Sequence, residues 1–551
     1  MRQTEPLRES CARPGTPGTA ALLFARAESG SMVILGLFLM MALLLIGGIS
    51  VDLMRVEYER LRMQAVLDSA VLAATDLDQV LDPEAVVRDY VAKADLAGEL
   101  TQVQAVSALD ARDVAASGTI SMPTMFVRAI GFDTLDVGVR SRAREAIGNI
   151  EVSLVLDVSG SMDNYGRLTN MKLAAKEFVQ TLMGNAVVGA LPVLGSGSGP
   201  QVSISIVPYA TQVAAGADML SQFTLERANP DTTCLDFPAA SFSTTTVDLA
   251  TPYVQTGSFD PFTRSAPPRI PVCRTDAAFR ITPLSNSQTA LNAQIDALTA
   301  SGNTSIDLGV KWGAALLDPT MQPVVRSLIA DGKVDPIFDG RPHGPENRNT
   351  MKVLVVMTDG ENTRQYQLNP GYDEELSDVW GVREVSLWGG ERWKYSVRST
   401  EPGDRDGDGR SNEEWYIPRT DRWSRNIDGG NANAVQLTYR QLWKLMSVSY
   451  NAYNNWYRQT NSASLYYEWI NGPLQRIEAA EKDARLSSIC RAAKDKGILV
   501  FGIGFEITAE NARIMRDCAS SENHYYDVEG LQIVTAFSSI ARTINQLRLV
   551  Q

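Results

Sequence analysis

"LVLDVSGSMDN", Leu154 to Asn164, decides how the chain is read. The apolar residues Val152, Leu154, Val155 and Leu156 form a strand-like run that ends in Asp157. Ser159 and Ser161 follow at alternate positions around Gly160. Hydroxyls and a carboxylate at the end of a buried strand are costly unless something binds them.

Strands and helices alternate outward from this point. "IEVSLVLD" (150–157), "QVSISIVPYA" (201–210), "KVLVVMTD" (352–359), "ILVFGIGF" (498–505) and "HYYDV" (524–528) read as strands. Helical spacing marks 168–183, 287–298, 305–317, 480–497 and a last helix near 531–547. Apolar strands separated by helices indicate an α/β fold, a mostly parallel sheet covered on both faces. Such sheets bind ligands beyond the carboxyl ends of their strands.

Asp157, Ser159 and Ser161 sit at one such end, and Asp359, followed by Gly360, sits at another. Thr304, in "SGNTSIDLG", precedes a helix between them. Converging, these residues offer a cation only oxygen ligands, which suits Mg²⁺, Mn²⁺ or Ca²⁺ and not zinc or copper. Neutral hydroxyls leave such a metal short of negative charge and open to a partner's carboxylate. Each residue also has a plainer reading. The first three fit a turn with a helix cap, Thr304 an N-cap to the helix from Ser305, and Asp359 a D-G turn.

The pattern "DVSGS" (157–161), Thr304 in "GNTSIDLG" and "TDG" (358–360) resembles the metal-ion-dependent adhesion site of von Willebrand factor A domains. The resemblance implies a Rossmann-like sheet within 150–550. It also implies that the serines and threonine bind the metal directly, with the aspartates acting directly or through water. Two insertions depart from a compact domain of this kind, 212–283 and 364–470. They are expected either to build a binding surface over the metal or to cover it.

Eight of the nine tryptophans fall in the second insertion, from Trp380 to Trp469, with tyrosines clustered in "YNAYNNWY" (450–457). Such residues serve as interface anchors for a protein partner, with a glycan the weaker candidate, or as a private core for the insertion. Within it, "DRDGDGRSNEEW" (404–415) places Asp404, Asp406, Asp408 and Asn412 as in a Ca²⁺ loop, although the twelfth position is Trp415 instead of glutamate. The alternative is a hydrated acidic turn.

Residues 30–51, "GSMVILGLFLMMALLLIGGISV", carry no charge. As a helix they span about 33 Å, enough for a hydrocarbon core of roughly 30 Å. The run is long for a signal peptide and is expected to be a retained anchor. Arg2, Arg8, Arg13 and Arg26 precede it, whereas Arg55, Arg60 and Arg62 on the other flank are mixed with acids. This bias favours a cytoplasmic tail, 1–29, in the bacterial inner membrane, with the bulk of the chain periplasmic or exterior. Cys11 lies before the anchor and four cysteines after it, a division that suits an oxidising outer compartment. Four cysteines allow three pairings. Cys234–Cys273 and Cys490–Cys518 are favoured because each closes a short local stretch. Beyond the anchor, Leu61, Val66, Leu67, Val71 and Leu72 continue the helix as far as about residue 76. The remainder of the segment 52–149 mixes helical and strand signals and reads as a small linker domain.

Residues 26–76 resemble the membrane segment of TadE/TadG-like Flp pilus-assembly proteins. The resemblance rests on Arg26 and Gly30 before the anchor, Asp52 after it, and Gln64, Asp68, Ala70, Leu72, Ala73 and Ala74 in the helix that follows. It implies a place in a pilus-assembly or secretion apparatus.

The chain has 551 residues and a net charge of −13, with no basic stripe for nucleic acid. His343 and His524 are the only histidines. No histidine base or G-x-S-x-G elbow accompanies the oxygen cluster, and "LGSGSG" (194–199) reads as a flexible turn. The expectation is therefore a non-enzymatic, membrane-anchored protein that binds a protein partner through a metal. An envelope adhesin unrelated to pili is the alternative, and a metal-dependent hydrolase the least favoured reading.

Overall fold

The computed structural model describes residues 31–76, 79, 81–107, 111–146, 149–188, 201–347, 350–385, 390–405 and 413–550. The chain forms two compact units, divided between Glu145 and Ala146.

The first unit is built on one helix, Ser31–Thr75. Its amino-terminal half is apolar and exposed all round, from Met32 to Ile46. Among the described residues it is the one helix long and apolar enough to cross a membrane, and it makes the chain a single-pass membrane protein. Its carboxyl-terminal half is amphipathic. Met63, Leu67, Ala70, Val71 and Ala74 pack against Val86, Val87 and Val91 of the helix Pro83–Lys93 and against Val114, Ala116 and Ile120 of a strand. That stripe steps by three and four residues, as one helix face must. Leu61 and Leu72 continue the helix as expected but lie off that stripe and are exposed. The small residues Ala70 and Ala74 take the contact because they allow closer approach. The rest of the unit, which sequence left without a fold, is a three-stranded sheet of Leu100–Ser107, Ala111–Pro123 and Thr134–Ala146, in that order.

In the second unit the main elements in chain order are β1 (Asn149–Asp157), α1 (Arg167–Val188), β2 (Val202–Tyr209), β3 (Thr282–Ser285), α2 (Gln288–Ala297), α3 (Ile306–Ala315), β4 (Thr350–Thr358), α4 (Ala479–Asp495), β5 (Leu499–Phe505), α5 (Ala509–Cys518), β6 (Tyr525–Val528) and α6 (Gln532–Val550). The sheet order is β3-β2-β1-β4-β5-β6. All neighbours are parallel except the β2–β3 pair at one edge. The edge strand β3 was not expected from "TPLS". Its proline is tolerated there because an edge strand leaves ladder positions unused.

Alternate residues of the central strands feed two cores. Leu154, Leu156, Val353, Val355 and Met357 pack with Phe178 of α1 and Phe537 of α6. Val155, Leu354 and Val356 pack with α3 and α4 on the other face. α3 lies close to the sheet because Gly309 and Gly313 face it. A Cβ at Gly313 would fall 2.6 Å from Val155 Cγ2 and 2.7 Å from Leu354 Cδ1.

The two insertions pack on each other. The second carries a five-stranded antiparallel sheet, from Leu376–Val385 to Val435–Thr438. Tyr416, Trp443 and Tyr439 of this insertion share one core with Phe259 and Val272 of the first. Trp456 and Trp469 stack with centroids 4.2 Å apart. None of the described tryptophans in the insertion is fully exposed, so they contribute to a core. Cys234 is joined to Cys273 and Cys490 to Cys518, with Cα separations of 5.9 and 5.0 Å.

Candidate functional site

In the order β3-β2-β1-β4-β5-β6, the chain direction across the sheet reverses between β1 and β4. The strand ends diverge there and leave a crevice, the usual ligand position in open parallel sheets. Asp157 ends β1 and Asp359 directly follows β4, so the fold sets both carboxylates at this crevice.

Asp157 is fully buried. Its Oδ1 accepts the Ser159 N–H at 2.8 Å, and its Oδ2 accepts the Thr358 hydroxyl at 2.8 Å and the Tyr209 hydroxyl at 3.2 Å. The Ser159 and Ser161 hydroxyls lie 3.0 Å apart, and Ser161 donates to Asp359 Oδ1 at 2.7 Å. The second Asp359 oxygen accepts from Arg167 at 3.0 Å, and Arg167 Nε donates to Glu506 at 2.7 Å. Burial and the nearby Asp359 push the Asp157 carboxyl up to about 7. Burial also raises Asp359, against the opposing pull of Ser161 and Arg167.

The Thr304 loop is pinned to both neighbours. Gly160 N–H donates to Gly302 O at 2.9 Å, and Ser301 N–H to Val158 O at 3.0 Å. Gly302 has φ +87°, and a Cβ there would meet Thr211 Oγ1 at 2.7 Å, so glycine suits the turn on two counts. Thr304 and Thr363 exchange bonds of 2.8 and 3.0 Å. The N-cap of α3 is Ser305, which makes no side-chain capping bond. Asn362 Oδ1 instead accepts the Ile306 N–H at 2.8 Å. Beneath these loops the buried Lys482 ammonium donates to Thr304 O, Ser305 Oγ and Thr363 O at 2.6, 2.6 and 2.7 Å. Burial pushes this lysine down to about 8, against the attraction of Asp307.

Asp157, Ser159, Ser161 and Asp359 therefore form one hydrogen-bonded cluster, with Thr304 held on the adjoining loop. Among the described residues no three His, Cys, Asp or Glu side chains group as metal ligands, so a cation here would depend on hydroxyl oxygens. The donor chemistry fits a hard divalent ion. The rim is open: Gly160, Asp163, Tyr165 and Glu361 are exposed, and neither insertion closes over them. Asp404 is described, whereas Asp406, Asp408 and Asn412 lie outside the described residues, as does Cys11.

Sequence reasoning missed Arg167, Lys482, Tyr209, Asn362 and Glu506. A signal for Arg167 was present in "YGR": Tyr165 and Gly166 both have positive φ, +52° and +72°. This turn carries the chain from the serine loop into α1 and aims the arginine at Asp359.

The strand order, with its reversal at the crevice, is that of an open, mostly parallel α/β sheet, carried by a membrane-anchored chain. Residues 30–79 match the family described as putative Flp pilus-assembly TadE/G-like; the amino-terminal segment is TadE/G-like. No curated protein matches the sequence. Among solved structures, the von Willebrand domain of the type V pili tip protein Mfa5 from Porphyromonas gingivalis aligns with 13% identity over 73% of this chain and 96% of that one, TM-score 0.30. The PilB minor pilin of Streptococcus sanguinis aligns with 12% identity over 81% and 78%, TM-score 0.29. For the pilus adhesin SpaC of Lactobacillus rhamnosus GG the values are 12%, 81% and 34%, TM-score 0.28, so this chain spans about a third of that protein.

Proposed function

We propose that the protein is a component of a bacterial Flp/Tad pilus-assembly or secretion apparatus that binds a protein partner with the help of a divalent cation. It is read as anchored in the inner membrane with its amino terminus cytoplasmic and the chain from residue 52 onward outside. The observation that carries the binding role is the chain of Ser159, Ser161 and Asp359 oxygens, linked at 3.0 and 2.7 Å, beside an exposed rim. The TadE/G-like segment supports the pilus context.

Mg²⁺, Mn²⁺ or Ca²⁺, when bound, would supply a positive centre for a partner's carboxylate. Ser159, Ser161 and Thr304 would hold it through hydroxyls, while Asp157 and Asp359 balance its charge. Arg167 keeps one Asp359 oxygen turned away from the serines, and Lys482 fixes the Thr304 loop from below. The test is affinity capture of partners from envelope extracts, with and without chelator, using the native chain and the Ser159→Ala/Ser161→Ala variant. Cation binding and capture should both be lost while circular dichroism stays native. A folded variant that lacks the cation and still captures its partner fully would make the site structural.

A further inference from the structure

The first unit holds an apolar surface that nothing above uses. The loop joining its second and third strands is closed by Thr124, whose N–H donates to Asp133 O at 3.1 Å and whose hydroxyl donates to Phe132 O at 2.5 Å. Within the loop, Met125, Phe126, Ile130 and Phe132 are 67%, 45%, 52% and 58% exposed. Four large apolar side chains on one short loop are expensive in water.

The attachment of the loop fixes its position along the anchor helix. Asp52 is the first charge after the apolar run, and it is buried. Its carboxylate accepts the backbone N–H groups of Met125, Phe126 and Val127 at 3.1, 2.7 and 2.9 Å. The Phe126 ring lies against the helix at Gly48, where a Cβ would come within 2.4 Å of Phe126 Cγ. Gly48 lies three residues inside the apolar run, about 5 Å at helical rise. The loop thus grips the helix where it leaves the hydrocarbon.

We propose that residues 125–132 form a second membrane contact, a loop that seats Met125, Phe126, Ile130 and Phe132 in the boundary between lipid headgroups and acyl chains. The occupant of this surface is lipid because the surface continues the lipid-facing flank of the helix, which is itself exposed and apolar up to that level. Apolar side chains at this depth gain from burial in the boundary region. Arg128, on the same loop and 73% exposed, is paired at 3.0 Å with Asp133, and it has the reach to meet headgroup phosphates. Two attachment points, helix and loop, would fix the tilt of the first unit on the membrane. A single helix leaves that tilt free.

The test uses the full chain, with Cys11→Ser, in lipid nanodiscs. A fluorophore is placed on Phe132→Cys, on Ile130→Cys and, as control, on Gln104→Cys, an exposed position of the strand Leu100–Ser107. Nitroxide lipids labelled high on the acyl chain should quench positions 132 and 130 at least twofold more than 104, with iodide giving the reverse order. Two loop positions are used so that a folding failure at one does not end the test. Equal quenching at all three positions would overturn the proposal. So would loop labels that are open to iodide in nanodiscs but shielded in native membranes, since a protein would then cover the loop.

Discussion

Replacing Lys482 tests how the site is held together. The ammonium is fully buried and ties three oxygens of two functional loops, with Asp307 Oδ1 at 3.9 Å. Lys482→Met keeps most of the side-chain volume and removes the charge. Thr304 O keeps its bond from Thr363 N–H, whereas Asp307 loses the cation beside it. Breaking a buried pair from one side costs about 3–5 kcal/mol. Asp307, whose carboxyl burial already raises, can limit that loss by taking a proton; for a carboxyl of ordinary pKa at pH 7 that costs about 4 kcal/mol, which is an upper bound here. The expected loss is therefore roughly 3–4 kcal/mol, a large part of a typical stability of about 5–15 kcal/mol. Urea unfolding in detergent, followed by near-ultraviolet circular dichroism, should show the midpoint falling by roughly 1 M. Adding Asp307→Asn removes the stranded charge and should restore most of the loss. Cation affinity, read by calorimetry below the unfolding range, should fall at least tenfold in the single variant because the Thr304 loop is released. A single variant as stable as the native chain, or a double variant as unstable as the single, would refute the reasoning.

Lys311 in α3 is buried and donates to Thr244 O and Thr246 O at 2.7 and 2.9 Å, and burial pushes it down to about 8. An unfolded lysine holds its proton to about pH 10.4. Between these values the unfolded state binds more protons, so this lysine should make stability rise with pH, by up to about 3 kcal/mol; denaturation curves from pH 7 to 10 should show the rise, and Lys311→Met should reduce it by that share, leaving the part due to Lys482. Replacing Cys490 and Cys518 by alanine should cost about 2–4 kcal/mol, seen as a lower thermal midpoint, and an unchanged midpoint would show that the bridge contributes nothing. Asp404→Ala with Asp406→Ala should remove one Ca²⁺ per chain by metal analysis and speed proteolysis within 364–470; no change in either would leave 404–415 an acidic turn.

The sheet was legible where its strands are buried on both faces. β1, β2 and β4 are almost wholly buried, and such strands read as continuous apolar runs. α3 was visible as a helix, but its closeness to the sheet depends on Gly309 and Gly313, which carry no hydrophobic signal. The first unit was obscure for the opposite reason. Its strands are half exposed, and its helix buries alanines where leucines stand out in sequence. The edge strand β3 escaped because its register is set by β2 and not by its own pattern.

At the site, the legible residues are those whose chemistry is local. Asp157, Ser159 and Ser161 stand within five positions, and Asp359 closes its own strand. Arg167 meets Asp359 across 192 residues and Glu506 across 339, and Lys482 reaches Thr304 across 178, separations at which spacing carries no information. These distant partners nevertheless set the electrostatics. Arg167 pairs with two carboxylates at the crevice, Asp359 and Glu506. It meets Asp359 from one side only, through the oxygen that faces away from Ser161. The Asp359 oxygen beside Ser161 is therefore the one left to meet a cation, if one enters from the exposed rim.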